Sequence, residues 1–226
     1  MHEIITKEED KGEKILNPAF DNLDEEKKKR IINACLEEFA ENGYDKASTN
    51  TIVSKAGISK GLLFHYFGNK KNLYLYLLDM TIKHFIERFY EEDTQPSKDI
   101  FEKFIQSGMI KLKIAFEEPL LFKFIMGAFV DTPKCMEDEI SARYQKIYAQ
   151  TMPGFFENID FSKFRDDIDK KKAVEFINLC LDSLYRKYVN MAKGRASKLS
   201  MEETEAMIRE QYEFVDMMKN GIYKKS

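Results

Sequence analysis

Apolar residues recur at helical spacing along most of this chain. Ile31, Cys35 and Phe39 lie four residues apart, which predicts a helix that buries one face. The most regular stripe has the three-and-four spacing of a heptad seam and holds Val174, Ile177, Leu181, Leu184, Tyr188 and Met191. No segment alternates apolar and polar residues as a half-buried strand would. The pattern therefore predicts an all-α protein with about nine helices.

Capping and turn residues divide the first part of the chain into three helices. N-caps are expected at Asp24, at Ser48 or Thr49, and at Ser59, and closing glycines at Gly43, Gly57 and Gly68. Only Gly57 and Ile58 separate the second helix from the third, whose Leu63 and Phe67 face the interior. Two short helices joined by so tight a turn indicate a helix-turn-helix.

The N-terminal part is expected to consist of a tail and a compact head. Residues 1–16 are polar and of mixed charge, which predicts a mobile tail. Residues 17–71 hold the helix-turn-helix. Phe20 and Leu23 interrupt the polar composition, so we expect them to fold back onto this head.

A larger helical body, residues 72–226, is predicted to follow the head. A polar loop is expected around Pro96, and another helix is expected to stop at Pro153. Ser200 and Glu203 have the spacing of a capping box and are expected to open the last helix.

The charge of the chain is unevenly distributed. The formal net charge is −3, from 39 acidic residues against 36 lysines and arginines, yet the stretch from Lys46 to Lys71 holds five lysines and no acid. Charges more than about 8 to 10 Å away are largely screened at physiological salt, so the local charge decides what this stretch attracts. It predicts a phosphate-facing surface, although solvated surface lysines are the simpler alternative.

The helix that begins at Ser59 carries residues suited to the major groove, which accepts one α-helix. Lys60 can donate to guanine O6 and N7, and Gly61 lets the backbone approach the duplex without a Cβ. Leu62 can pack on a thymine methyl group. Lys70 adds a cation near the start of the next helix, where a phosphate is already favoured.

Three consecutive rings, Phe64, His65 and Tyr66, are candidates for contacts with DNA. Leu63 and Phe67 already fill the buried positions of this helix, so the three rings are expected to point outward. The alternative is that they are core or ordinary surface aromatics.

A second motif occupies the same segment. Gly57, Ser59 and Gly61 match the G-x-S-x-G nucleophile elbow of hydrolases, which requires a strand before the serine. The preceding residues 50–56 have a helical pattern, and only three histidines exist to act as a general base. We therefore expect Ser59 to be an N-cap and the protein not to be an enzyme, with no metal or cofactor.

The cysteines and the hydropathy indicate a soluble cytoplasmic protein. Cys35, Cys135 and Cys180 lie far apart within apolar patterns and form no C-x-x-C, so we expect buried thiols in a reducing compartment. The start of the chain has no apolar core of signal-peptide length, and no run of eighteen apolar residues occurs. No membrane contact is expected.

The segment from about Phe20 to Leu73 resembles the TetR/AcrR family of bacterial transcriptional regulators. It covers about a quarter of the chain, and the combined spacing of its residues is specific. The residues that carry the resemblance are Phe39, Ala40, Glu41, Asn42, Gly43, Tyr44, Ala47, Ser48, Thr49, Ile52, the block from Ala56 to Tyr66, Phe67, Lys70 and Leu73.

The resemblance implies a ligand-responsive regulator, usually a repressor, that binds a double-stranded operator and is released by a small molecule. With Ser59, which opens the third helix, the expected DNA-binding residues are Ser48, Thr49, Asn50, Lys60, Gly61, Leu62, Phe64, His65, Tyr66 and Lys70. Asn50 stands where the family often has Arg, and Leu62 where Thr is frequent. The operator sequence therefore cannot be transferred.

The resemblance also implies that residues 72–226 bind the effector and form a homodimer. The expected dimer interface is Val174, Ile177, Leu181, Leu184, Tyr188, Ile208, Tyr212 and Val215, with packing inside one chain as the alternative. The candidate effector residues suit an apolar or aromatic ligand, although each could simply be core. They are Phe104, Phe116, Phe122, Met126, Phe129, Tyr144, Tyr148 and Phe176.

Two other functions remain open at this point. The protein could organise DNA without responding to an effector, or it could be a helical small-molecule carrier that merely retains the head.

Overall fold

The computed structural model describes residues 18–192 and 201–224, and these residues are helical almost throughout. The helices are α1 Pro18–Asp21, α2 Glu25–Lys46, α3 Thr49–Ala56, α4 Lys60–Phe67, α5 Lys70–Glu92, α6 Ile100–Glu117, α7 Pro119–Val130, α8 Glu137–Phe156, α9 Lys170–Ala192 and α10 Met201–Ile222. Two 3₁₀ turns, Lys134–Met136 and Phe161–Lys163, lie between them. The all-α prediction is confirmed, with ten α-helices in these ranges because α1 adds one to the nine expected.

The predicted N-cap residues are found at the starts of α2, α3 and α4. Asp24 Oδ1 accepts from Lys27 N at 2.9 Å, and Ser59 Oγ accepts from Leu62 N at 3.1 Å. Ser48, rather than Thr49, caps α3. The three glycines that were expected to close helices have positive φ, at Gly43 (65°), Gly57 (66°) and Gly68 (74°).

The chain divides into two compact units, of which the first holds the described residues up to Glu92 together with Lys113–Ser141. Ile31, Phe39, Ile52, Leu63 and Phe67 are fully buried in it. These side chains come from α2, α3 and α4, so the helix-turn-helix has an apolar core of its own.

Two further elements cover this core. Phe20 of α1 folds back as predicted, is buried, and lies 4.9 Å from the ring of Phe67. On another side, Phe124 of α7 lies 6.3 Å from Phe39 of α2 and 5.1 Å from Tyr74 of α5. The first unit therefore extends beyond residue 71, because α5 and α7 pack directly on the helices of the head.

The second unit holds Asp93–Leu112 and the described residues from Ala142 onward. Its core gathers Phe101 of α6, Phe164, Ile177 of α9 and Val215 of α10. Backbone hydrogen bonds fix the end of the chain against residues 163–165, with Arg165 N donating to Ile222 O at 2.9 Å.

Helix α8 continues through Pro153 to Phe156, so the predicted stop at Pro153 is wrong. A proline removes one helical hydrogen bond, but its fixed φ is compatible with a helix. The extra turn carries Phe155 and Phe156 onto Phe104, with ring centroids 4.6 Å and 6.3 Å apart.

The cysteines were only partly predicted correctly. Cys35 is buried, and burial raises the pKa of its thiol to about 12. Cys180 is partly buried, whereas Cys135 is exposed because it lies in the 3₁₀ turn between α7 and α8 rather than on a helix face.

Two predictions fall outside the described residues: the tail 1–16 and the capping serine Ser200. Among the helices within the described ranges, none combines the length and apolar character needed to cross a membrane.

Candidate nucleic-acid interface

The turn between α3 and α4 fixes the direction in which α4 leaves the head. Gly57 N donates to Ser54 O at 3.4 Å, and Ile58 N donates to Val53 O at 3.1 Å. This is the paired bonding of a Schellman motif, which needs the left-handed conformation that Gly57 adopts at little cost. Because both bonds return to α3, they fix the turn to the end of that helix, and α4 begins directly after it.

Helix α4 has one buried face and one exposed face. Leu63 and Phe67 are fully buried, as predicted. Lys60, Gly61 and His65 are exposed on the other side of the helix. Leu62 and Phe64 are half-buried beside them. The exposed face therefore presents a cation and a bare backbone at the N-terminal end of the helix and an imidazole in its last turn.

The expectation that Tyr66 points outward is wrong. Its side chain is only 5% exposed and packs edge-on against Phe20, with ring centroids 5.4 Å apart. The sequence reasoning assigned only Leu63 and Phe67 to the core and did not allow for α1, which covers this side of α4. The ring of Tyr66 is thus part of the head's core rather than of its outer surface.

The packing of the head does not require a glycine at position 61. Gly61 lies inside a helix, where glycine is less favourable than alanine by up to about 1 kcal/mol. A Cβ built on Gly61 would meet nothing closer than Ser59 Oγ at 4.0 Å. The fold therefore has room for a methyl group at position 61.

The N-terminus of α3 carries the other predicted contacts. Ser48 and Thr49 are half-buried, and Asn50 is exposed. Ser48 Oγ accepts a long bond from Thr51 N at 3.4 Å. The backbone N–H of Ser48 donates to Glu38 Oε1 at 2.8 Å, and Glu38 is buried in α2. Sequence analysis did not single out Glu38, because an acid on a helix reads as solvated surface.

The five lysines of the basic stretch differ in what surrounds them. Lys55 pairs with Glu37 at 3.0 Å and Lys71 pairs with Glu139, so these two charges are partly neutralised. Lys46 and Lys60 are exposed. The cationic surface is therefore narrower than the sequence alone predicts.

Lys70 is positioned by the end of α2. Its ammonium lies 4.8 Å from the ring centre of Tyr44 and donates to Asp45 O at 3.3 Å. Burial raises the pKa of Tyr44, with Cys135 acting in the same direction and Lys71 against it, so the phenol beneath Lys70 is neutral at physiological pH. Lys70 is thus held at the N-terminus of α5, where backbone N–H groups favour an anion.

The nucleophile elbow does not form around Ser59. The residues before it are the helix α3, and Ser59 Oγ is engaged as the N-cap of α4. The expectation that Ser59 is a capping residue is confirmed.

Most of the predicted dimer residues pack inside the single chain. Ile177, Leu181, Leu184 and Val215 are buried. Val174 and Ile208 are half-buried, Tyr212 is 51% exposed, and the side chain of Tyr188 lies outside what the structure describes. The alternative of packing within one chain therefore holds for the inner stripes of α9 and α10.

The candidate effector residues fall into both units. Phe116, Phe122, Met126 and Phe129 belong to the first, and Phe104, Tyr144, Tyr148 and Phe176 to the second. Phe122, Met126 and Phe129 are half-buried on α7, whereas Phe116 and Phe176 are 53% and 51% exposed. In the second unit Phe104 packs on Phe155, and Tyr148 accepts a hydrogen bond from Asn178.

Comparison with known proteins supports the interpretation of the head as a DNA-binding helix-turn-helix. The family model of bacterial regulatory proteins, tetR family, matches residues 31–77. The fatty acid metabolism regulator protein of Bacillus subtilis is 28% identical over 167 residues, which are 71% of this chain and 82% of that protein. The HTH-type transcriptional regulator QacR of Staphylococcus aureus is 31% identical over 93 residues, 41% of this chain and 49% of QacR.

Solved structures resemble this chain over most of its length. A TetR family transcriptional regulator from Chloroflexus aurantiacus superposes with a TM-score of 0.61 at 24% identity, covering 93% of this chain and 100% of that one. The transcriptional regulator FadR from Bacillus subtilis, in complex with stearoyl-CoA, superposes with a TM-score of 0.59 at 20% identity, covering 86% and 99%.

The helix-turn-helix head with its exposed α4, taken with these relatives, defines a DNA-binding transcriptional regulator. Residues 31–77 carry the DNA-binding head that the tetR family of bacterial regulatory proteins shares.

Proposed function

We propose that this regulator is a homodimeric repressor that binds a palindromic operator and is released by an apolar effector. Residues 17–71 are the proposed DNA-binding part, and residues 72–226 the effector and dimerisation part. The observation that carries the DNA assignment is Gly61, whose bare backbone the fold itself does not require. The proposed contacts with DNA are Ser48, Thr49, Asn50, Ser59, Lys60, Gly61, Leu62, Phe64, His65 and Lys70.

Replacing Lys60 or Lys70 by alanine is expected to weaken operator binding. Each lysine that contacts a phosphate adds about 0.9 to the slope of log K against log salt for duplex DNA. Lys70→Ala should therefore lower the magnitude of that slope by about 0.9. Lys60→Ala should also relax discrimination between operator variants, because a lysine on a guanine edge contributes roughly 1 to 3 kcal/mol. Fluorescence anisotropy at several salt concentrations measures both effects.

Lys98→Ala is the matched control, because Lys98 is exposed but lies in the loop before α6. It should leave both the affinity and the slope unchanged. If Lys60→Ala and Lys70→Ala bind a genuine operator as the unmodified protein does at every salt concentration, the proposed contact surface is wrong.

The outer face of α9 and α10 is the proposed dimer interface. Leu179 and Met217 are 62% and 60% exposed, with Phe176 and Phe214 at 51% and 40%. Large apolar side chains grouped on one surface mark a site of association. This face replaces the inner stripe, which the core of the second unit already uses.

The register of the two helices supports a single continuous face. Lys187 of α9 pairs with Glu210 of α10, and Ile177 shares a core cluster with Ile222, which indicates antiparallel helices. Phe176 and Leu179 lie at helical spacing from Lys187, on the same side of α9. Phe214 and Met217 continue from Glu210 in the same way on α10. The exposed apolar residues of both helices therefore lie on the sides of the helices that carry this ion pair.

The route by which an effector acts on the head is proposed to be α7. Leu121, Phe124, Ile125 and Ala128 of this helix are buried, and Phe124 contacts Phe39 of α2. A neighbouring, half-buried face of α7 carries the candidate effector residues Phe122, Met126 and Phe129. A ligand on that face would bind one helix away from the head, and a shift of α7 would be passed directly to α2.

We propose a long-chain acyl-CoA as the first effector class to test. The Bacillus subtilis relative is a fatty acid metabolism regulator, and FadR from that organism was solved with stearoyl-CoA. The phenylalanines and the methionine on α7 suit an acyl chain, because they offer polarizable, apolar surface.

Stearoyl-CoA is expected to raise the melting temperature of the full chain and to release it from the operator. A coupling of about 1 to 3 kcal/mol corresponds to a 5- to 150-fold loss of operator affinity. CoA alone should do neither. Differential scanning fluorimetry and anisotropy measure the two effects.

Met126→Gln should weaken the stearoyl-CoA response, because it puts an amide against the acyl chain while keeping the side-chain length. Met109→Gln is the control, since Met109 is 47% exposed on α6 and outside the proposed site. If no acyl-CoA changes stability or operator binding, the effector class is wrong. If no small molecule of any class does so, the protein is a DNA-organising protein without an effector.

A further inference from the structure

A buried carboxylate lies beneath the N-terminus of α3. Glu38 is only 5% exposed, and its Oε1 accepts from the backbone N–H of Ser48 at 2.8 Å. Burying a carboxylate is costly unless it is hydrogen-bonded, and the N–H of Ser48 supplies such a bond to Glu38. A bond from a backbone N–H to a charged acceptor is among the stronger hydrogen bonds in proteins.

The bond has the form of a capping box whose acid comes from a different helix. In the usual box, a glutamate three residues after the N-cap bonds the backbone N–H of the N-cap residue. Here Ser48 is the N-cap, and the position three residues later is Thr51. Glu38 of α2 supplies the carboxylate instead, so the α3 terminus is capped without placing an acid on α3 itself.

The neighbouring acid holds the other end of α3. Glu37 Oε2 lies 3.0 Å from the ammonium of Lys55, which is in the last turn of α3. Two consecutive carboxylates of α2 therefore contact the two ends of α3. Because only the short, hydrogen-bonded turn at Gly57 and Ile58 separates the two helices, the position of α3 also affects that of α4.

We propose that Glu38 is a positioning residue for operator binding, which holds the N-terminus of α3 so that Ser48, Thr49 and Asn50 meet the DNA backbone. The inference rests on the proposed function, in which these three residues contact DNA. Glu38 supplies the capping charge from inside the head, where it does not face the phosphates.

Whether operator affinity falls or rises when Glu38 is replaced distinguishes a positioning role from simple electrostatic repulsion. A carboxylate near DNA repels phosphate, so removing a bystander acid should tighten binding. Removing a positioning acid should weaken it. Glu41 is the matched control, since it is an exposed acid three residues further along α2. Glu41→Gln should bind the operator as tightly as the unmodified protein, or more tightly.

Glu38→Leu is the principal test, because leucine fills the site but cannot accept a hydrogen bond. Operator affinity, measured well below the melting temperature, should fall by about tenfold, the effect of losing one charge-assisted hydrogen bond. The slope of log K against log salt should stay unchanged, because no cation that contacts phosphate is removed. Glu38→Gln, which keeps an oxygen acceptor, should bind more tightly than Glu38→Leu.

A second measurement covers the case in which Glu38→Leu does not fold. Hydrogen exchange at the Ser48 amide should be faster in Glu38→Gln than in the unmodified chain, since a neutral acceptor bonds it less strongly. The Leu62 amide, bonded to Ser59, should be unaffected and serves as the internal reference.

Three results would overturn the inference: undiminished operator affinity in Glu38→Leu, equal weakening in Glu38→Leu and Glu38→Gln, or unchanged exchange at Ser48. Failure of the proposed function gives a different pattern. In that case Lys60→Ala and Lys70→Ala would also leave operator binding intact, whereas failure of this inference alone leaves their effects in place.

Discussion

Replacing Leu179 and Met217 together by glutamate is expected to convert the proposed dimer to a monomer of 26.6 kDa. Both side chains are about three-fifths exposed on the outer face of α9 and α10. A buried charge without a partner disfavours association strongly. In a dimer, binding of one head to its half-site raises the effective concentration of the other head at the second half-site. A monomer loses this advantage, so affinity for the full operator should fall by about 10² to 10⁴-fold. Sedimentation equilibrium and operator titration measure the two effects.

The fold of each chain should survive this double substitution, because neither residue belongs to the core. The helical circular dichroism and the melting temperature of the monomer report on that point. Met109→Glu, which places a charge on an exposed methionine of α6, should remain dimeric. A Leu179→Glu and Met217→Glu protein that keeps the mass of the dimer would remove this face from consideration as the interface.

The parts of the fold that were predicted correctly depend on interactions close in sequence. Asp24, Ser48 and Ser59 cap their helices because a side-chain oxygen reaches a backbone N–H three residues on. Gly57 ends α3 because the turn needs a positive φ. Such contacts are readable from local residue types and spacing, which is why the helix-turn-helix could be placed almost to the residue.

The errors arise where distant segments meet. The heptad seam that includes Ile177 and Leu181 predicts one apolar face on α9, but its periodicity is the same whether that face meets a helix of its own chain or of a second copy. Tyr66 was assigned to the surface because nothing local indicates that Phe20 returns to cover it. Glu38 was missed for the same reason, since its partner Ser48 lies beyond the end of its helix.

Gly61→Ala is expected to change stability and DNA binding in opposite directions. Alanine is favoured over glycine inside a helix by up to about 1 kcal/mol, and its Cβ would meet only Ser59 Oγ, at 4.0 Å. The free protein should therefore be as stable or more stable. On the operator, the same methyl group would enter a closely packed contact, where overpacking costs about 1 to 3 kcal/mol, or roughly 5- to 150-fold in affinity. Thermal melts and operator titration measure the two quantities.

Gly127→Ala provides the matched control, because Gly127 is an exposed glycine within α7 and a Cβ there would meet nothing within 4 Å. It should gain the same stability without changing operator affinity. Comparing the two variants separates the effect of the added methyl group on operator affinity from its effect on helix stability. Operator binding by Gly61→Ala at full strength would mean that the backbone of α4 does not approach the duplex closely, and α4 would then have to contact DNA through its long side chains alone.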